Sequence, residues 1–278
     1  MSSTLVTSRA NPRVKQLRAA FAGRARLSGG LVAIEGEHLL FEAMRSGLVF
    51  KTIFVSERRT APAWAPTNVE RMELTDEVFA SVVDTQSPQG IAALLIPPVW
   101  ALDVLFAGAV SHPLLLMAVG LQDPGNLGTL IRSAEAFGAA AVLTTAGTVS
   151  EWNQKALRAS AGSVFRVPVA DVTPGDVGEL KSRGVRFLAA VAPDAESQAN
   201  RDGAPALPVS AADLSGSCAL MIGNEGAGLS EEWLALADAR ITIPTPGRTE
   251  SLNAAVAGSV LLYEASRQRT ASKTIAIV

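Results

Sequence analysis

The stretch "IPTPGRTESLNAAVAGSVLLYEASRQ", Ile243 to Gln268, joins two chemistries that rarely share a segment. Its first half is a turn crowded with polar groups: Thr245, Arg248, Thr249, Glu250, Ser251 and Asn253. Its second half has helical spacing with small or apolar residues on nearly every side, the pattern of a helix buried all round. A polar loop leading into such a helix, directly after the apolar strand "ARITIP", points to a site at the end of a sheet.

Two further strands upstream run into loops of the same kind. "VGLQDPGNLGTLIRSAEAFG", Val119 to Gly138, follows the continuous apolar run "PLLLMAVG", which reads as a strand of a parallel sheet covered on both faces. Its glycines permit close backbone approach, Asn126 can cap the following helix, and a helix N-terminus favours an anion. Arg132 lies far enough along that helix to reach the same anion. "LMIGNEGAGLS", Leu220 to Ser230, places Gly223, Gly226 and Gly228 around Asn224 and Glu225 after the strand "CALMIG". Neither loop is a dinucleotide fingerprint or a phosphate loop.

The remaining chain alternates strands and helices in two α/β regions. Residues 1–97 read as a small domain whose first helix, "NPRVKQLRAAFAGRAR", is capped by Asn11 with Pro12 at its first position. Residues 98–112 read as a linker, and 113–278 as the larger domain carrying the three loops. Residues 1–51 hold eight Lys/Arg against three acids, while the rest holds sixteen against twenty-three. A basic end on an otherwise acidic chain is either a surface for a polyanion or a solvated helix face rich in Arg, and Arg9, Arg13, Lys15 and Arg18 cluster around the first helix.

Composition narrows the chemistry. The single cysteine, Cys218, lies in an apolar run and reads as a reduced core residue of a cytoplasmic protein. No apolar run is long enough to span a bilayer, so no membrane is expected. The two histidines, His38 and His112, stand outside the loops, and no Cys/His metal cluster, G-x-S-x-G elbow or paired-carboxylate motif is present. A reaction here proceeds without a histidine base or a metal cage, and group transfer from an activated cofactor meets that limit.

Together, "DPGNLGTLIRSAEAFGA", "MIGNEGAGLS" and "IPTPGRTESLNAAVAGSVLLYE" resemble, in order and spacing, the three motifs of the SpoU (TrmH-like) branch of the SPOUT superfamily. "TSRANPRVKQL" and "AIEGEHLLFEA" are similar to that family's N-terminal L30e-like RNA-binding domain. The resemblance implies methyl transfer from S-adenosylmethionine to a ribose 2′-hydroxyl of rRNA or tRNA, with rRNA favoured. It also implies a C-terminal parallel sheet with a deep trefoil knot, and a homodimer formed through the last helix. General topology rules disfavour a knot, so the resemblance alone carries it.

By the same resemblance, Asn126, Arg132, Glu225, Ser251 and Asn253 take the family's catalytic positions. The cofactor is expected around Ile222, Gly223, Asn224, Gly226, Ile243, Pro244, Ser251, Leu252 and Asn253, with Thr144, Thr145, Ala146 and Gly147 as a further wall. Arg9, Asn11, Arg13, Lys15 and Arg18 are expected to meet RNA. Arg132 matches the residue held to activate the hydroxyl, and a charged guanidinium that stabilises the developing alkoxide is physically easier than a free base. The chain departs from the pattern at Trp152-Asn153, where Ser-Pro is common in the family. A non-catalytic RNA-binding protein that keeps the fold is the alternative.

Overall fold

The structure is a computed structural model describing residues 5–24, 29–83, 85, 87–100, 102, 111–193, 205–249 and 251–275. By Cα proximity it divides into two units: residues 1–99 with 152–166, and residues 100–151 with 167–278. Most of the expected linker, residues 101 and 103–110, lies outside the described residues. The grouping of 152–166 with the N-terminal residues has no counterpart in a cut at residue 112.

In the first unit, helix α1 (Pro12–Phe21) starts at Asn11, whose side chain accepts from Arg13 N–H. Strand β1 (Val32–Glu35), helix α2 (Glu37–Arg45), strands β2 (Phe50–Ser56) and β3 (Glu70–Leu74), helix α3 (Asp76–Ala80) and strand β4 (Ile91–Leu95) follow. The sheet order is β1-β4-β2-β3, with β2 and β3 parallel and the other pairs antiparallel. Strand β3, "ERMEL", escapes a reading by hydropathy because its first residues are charged and exposed at the sheet edge. The core gathers Val14, Leu17, Phe54, Leu74, Phe79 and Leu94.

In the second unit, strand β5 (Leu114–Ala118) is buried at every residue, as its unbroken apolar run requires. Helix α4 (Pro124–Ala136) and strand β6 (Ala141–Thr144) come next. The chain then enters the first unit, forms helix α5 (Gln154–Ser160), and returns as strand β7 (Val169–Asp171). Helix α6 (Pro174–Ser182), strands β8 (Arg186–Val191), β9 (Leu207–Pro208) and β10 (Cys218–Ile222), helix α7 (Glu231–Leu236), strand β11 (Ala239–Thr242) and helix α8 (Ala254–Ile275) complete it.

The sheet order is β7-β6-β5-β10-β8-β11-β9, with each of these pairings parallel. Strands β5, β6 and β7 step outward on one side, and the later strands fill the other. The direction of winding therefore reverses between β5 and β10, where the loops after parallel strands diverge and leave a crevice. The Val119–Gly138 and Leu220–Ser230 loops leave these two strands.

Helix α8 departs from the expectation of burial all round. Ala255, Gly258, Leu261, Leu262 and Ala265 face the protein, whereas Val256, Val260 and Tyr263 are 50%, 37% and 55% exposed. Small residues are confined to the side that packs most closely. A Cβ at Gly258 would lie 2.4 Å from Leu130 Cδ2 on α4, so the two helices meet there only because residue 258 has no side chain.

Candidate active site

The expected polar residues of the three loops converge on one hydrogen-bonded line. Asn253 Nδ2 donates to Asn126 Oδ1 at 3.0 Å, and Asn126 Nδ2 donates to Glu225 Oε1 at 3.0 Å. Glu225 also accepts from the N–H groups of Gln122 at 3.2 Å and Asp123 at 3.0 Å. At the other end, Asn253 Oδ1 accepts from Ala255 N–H and Val256 N–H at 2.9 and 3.2 Å, capping α8. Residues about a hundred positions apart in the chain thus fix one another's side chains.

Asn126 does not cap α4. Asp123 does, accepting from Asn126 N–H at 3.0 Å, with Pro124 following it. Within the first turn of the helix, the Asn126 amide is left to bridge the second and third loops. Burial pushes the Glu225 carboxyl up, but hydrogen bonds from the Asn126 side chain and from N–H groups including that of Asp123 outweigh it. The net effect holds Glu225 below the ordinary glutamate value, ionised and acceptor-only.

Beside this line lies a cleft of about 300 Å³ at the carboxyl ends of β8, β10 and β11. Ile222, Gly223, Asn224, Gly226, Ile243, Ser251 and Leu252, all expected there, line it, as does Glu225. A Cβ at Gly223 would stand 2.2 Å from the Gly228 carbonyl carbon, so this loop closes only around glycine. Asn224 pins it further: Nδ2 donates to Gly120 O at 2.9 Å, and Oδ1 accepts from Gly226 and Ala227 N–H. Thr249 Oγ1 donates to Ser251 O at 3.0 Å in the third loop. Glu250 lies outside the described residues.

Other expected positions fall elsewhere. Thr144, Thr145, Ala146 and Gly147 follow β6, which is separated from β10 by β5, and none of them lines the cleft. The Thr144 hydroxyl donates to Asp171 Oδ1 at 2.5 Å, and the Thr145 hydroxyl accepts from Gly120 N–H at 3.1 Å. Ala190, Val191, Ala192 and Pro193 line the cleft, because β8 is the strand beside β10. "RFLAAVAP" carries no polar signal, and only the strand order brings its end to the cleft. Pro244 and Asn253 adjoin the lining residues without lining the cleft themselves. Arg132 is exposed on α4, about two turns from its start. Among the described residues it has no hydrogen-bond or ion-pair partner.

In the first unit, the expected cations are divided. Arg9 pairs with Glu77 at 2.7 Å and Arg13 with Glu70 at 3.1 Å. Arg18 donates to Ser81 Oγ at 3.4 Å, whereas Lys15 is exposed and unpartnered among the described residues. A groove of about 980 Å³ runs along α1, lined in part by Asn11, Arg13, Lys15, Arg18 and Arg24, with no acid in its wall. Trp152 stacks on Phe165 at 6.3 Å, and Asn153 caps α5 through Lys155 N–H, so the departure from Ser-Pro is absorbed inside this unit. Among the described residues, no cluster of His, Cys, Asp or Glu could hold a metal ion. No helix among them is long and apolar enough to cross a membrane.

The model of the SpoU rRNA methylase family matches residues 113–263. The chain belongs to the SpoU rRNA methylase family. Residues 11–93 match the MRM3-like substrate binding domain. The SpoU chain is 36% identical to "23S rRNA (guanosine(2553)-2'-O)-methyltransferase RlmP" of Bacillus subtilis, over 93% of its own length and 97% of that protein's. Its structure superposes on the SpoU methyltransferase AviRb of Streptomyces viridochromogenes in complex with AdoMet, with a TM-score of 0.81 and 26% identity. That match covers 94% of this chain and 98% of the other. A second SpoU-like structure, described as an RNA 2'-O ribose methyltransferase, gives a TM-score of 0.76 at 31% identity, covering 96% and 100%.

Proposed function

We propose that this chain transfers a methyl group from S-adenosylmethionine to a ribose 2′-hydroxyl of ribosomal RNA in the cytoplasm. The observation that carries the reading is the Asn253–Asn126–Glu225 line at the rim of the cleft, which joins the three family motifs into one site. A retired site has no reason to retain it.

The cleft suits the cofactor. Ile222, Ile241, Leu252 and Leu261 offer apolar walls for a flat base, and Asn224, Thr245 and Ser251 offer polar groups for the ribose and amino-acid ends. The bare backbone at Gly223 lets peptide groups approach a ligand directly. When bound, S-adenosylmethionine supplies an electrophilic methyl on a sulfonium centre. The ionised Glu225 orients the Asn126 amide, which in turn orients Asn253, so the rim needs no rearrangement during reaction. Arg132, without a partner among the described residues, binds an RNA phosphate and stabilises the alkoxide character that develops as the 2′-oxygen attacks the sulfonium methyl and gives up its proton to solvent.

The same reading covers the finer architecture. Residues 1–97 form the RNA-binding part, with the groove along α1 as its phosphate contact through Arg13, Lys15, Arg18 and Arg24. The close approaches at Gly223 and Gly258 support a C-terminal chain drawn through an earlier loop as a trefoil knot. The exposed Val256, Val260 and Tyr263 of α8, with Phe137 against Tyr263 at 5.8 Å, offer an apolar face for a second copy of the chain.

Calorimetric titration with S-adenosylmethionine and mapping of 2′-O-methylation in ribosomal RNA from a deletion strain test the function together. Binding of the cofactor and loss of one ribose methyl are expected. RNA binding without cofactor binding would leave the non-catalytic alternative.

A further inference from the structure

The third motif ends at Glu264, about three turns into α8, yet the helix continues to Ile275. Near its far end, Arg269 is half-buried and makes hydrogen bonds to carbonyl groups of three peptide positions. Its Nη1 donates to His112 O at 2.6 Å, its Nε to Leu214 O at 2.9 Å, and its Nη2 to Gly216 O. Nη2 also lies 3.6 Å from Cys218 Sγ. The preceding residue joins the same place: Gln268 Oε1 accepts from Leu214 N–H at 2.8 Å, and Nε2 donates to Ala212 O at 3.0 Å. His112 precedes β5, and Ala212 to Gly216 precede β10. These contacts therefore gather at the amino ends of the two central strands, opposite the cleft at the carboxyl ends.

We propose that Arg269, with Gln268, is a positioning residue for the cofactor loop, setting the axial register of α8 from the far side of the sheet. Asn253 and Arg269 are separated by sixteen residues of helix, a rise of about 24 Å. A helix transmits an axial slip nearly undiminished, and one displaced by a fraction of a turn would pull Asn253 out of reach of Asn126. Between the two ends, the middle of the helix is tied to α4. Gly258 lies under Leu130, and Ser259 Oγ meets Ser133 Oγ at 2.7 Å. The planar fork of Arg269 grips both central strands' approaches at once, and a lysine would offer a point charge in its place.

This inference rests on the cofactor reading of the cleft for its functional consequence, but its first readout does not. In the full-length protein, hydrogen exchange of amides 252–258 is compared among wild type, Arg269→Ala, Arg269→Lys and Arg267→Ala, with S-adenosylmethionine affinity measured in parallel. Arg267 is on the same turn but, among the described residues, pairs with Glu264 at 2.7 Å rather than with a strand, and serves as the control. The expected result is faster exchange at 252–258 and about tenfold weaker cofactor binding for Arg269→Ala, an intermediate effect for Arg269→Lys, and none for Arg267→Ala. Wild-type exchange and affinity at the loop, with loosening confined to residues 264–270, would overturn the proposal and leave a local staple. If Arg269→Ala does not fold, Arg269→Lys carries the comparison alone, and wild-type behaviour in it overturns the proposal. A wild-type protein that binds no cofactor would refute the functional reading while the exchange data still decide the positioning role.

Discussion

The rim of the cleft and the basic face of α1 both gather polar side chains, but they satisfy them in opposite ways. At the rim, Asn253, Asn126 and Glu225 hold one another through hydrogen bonds of 3.0 Å, and Arg132 stands without a partner among the described residues. On α1 and just before it, Arg13 and Arg9 are engaged by Glu70 and Glu77, and Lys15 has no partner among the described residues. A network closed on itself is preorganised for one geometry. A set of exposed ion pairs, each contributing at most about 1 kcal/mol, exchanges its partners readily. The first arrangement fits chemistry, and the second fits a mobile polyanion.

The largest break in this comparison is expected at Arg132. Arg132→Ala should lower methyl transfer by about 10²–10³-fold and leave cofactor affinity unchanged, with Arg132→Lys recovering little. Single-turnover assays beside calorimetry measure both, and near-normal turnover in the alanine variant would remove the residue from the reaction. Next in size is the scaffold of the rim. Gly223→Ala must open the loop around Gly228, at a cost of about 3 kcal/mol and with loss of cofactor binding. Thermal unfolding of the variant at wild-type temperature would show that the loop relaxes freely.

A smaller effect should come from the line itself. Asn253→Ala removes the amide bridge to Asn126 and a helix cap of about 1 kcal/mol, and cofactor affinity or turnover should fall about tenfold in a protein that stays folded. Unfolding instead would reduce Asn253 to a structural cap. Acid probes the other end. Because the Glu225 pKa lies lower in the folded protein than in the unfolded chain, its contribution is complete above the ordinary glutamate value and is lost as pH falls through the lowered one. The line should therefore hold at neutral pH and break only in acid, and Glu225→Gln should flatten the acid limb of cofactor binding.

What the sequence made legible follows from these physical differences. The three loops could be read because their glycines and polar residues sit immediately after apolar strands, a local signal. The bridging role of Asn126 was hidden, since Asp123 takes the cap and only the fold shows that the Asn126 amide is left over. Ala190 to Pro193 were invisible as cleft residues because nothing in "RFLAAVAP" differs from any buried strand; their role comes from β8 lying beside β10. The exposed stripe of Val256, Val260 and Tyr263 was concealed by the composition of α8, which is apolar on both its covered and its open face. Residues 152–166 were read with the methylase strands around them, although their buried side chains, Gln154 to Ala33 O at 2.8 Å among them, belong to the other unit. That placement also bears on truncation. Removing residues 1–97 would take away the unit with which residues 152–166 group, including the Ala33 carbonyl that Gln154 binds, so the intact chain is the proper material for RNA binding.

The finest distinction lies within the basic face. Binding of RNA should weaken with salt at a log–log slope of roughly −0.7 to −0.9 per phosphate neutralised. If every cation of α1 gripped a phosphate equally, replacing Arg9 and Arg13 together would flatten the slope by up to about two units. The ion pairs argue for less, because each arginine must leave Glu77 or Glu70 before it can displace a counterion. Lys15 faces no such competition among the described residues and lines the groove. Lys15→Ala should therefore flatten the slope by about one unit, and Arg9→Ala by less, with Arg13→Ala between them because Arg13 also lines the groove. Titrations of the three variants at several salt concentrations rank them. Equal slopes for all three and the wild type would make this positive charge a solvated face and move RNA recognition elsewhere on the molecule.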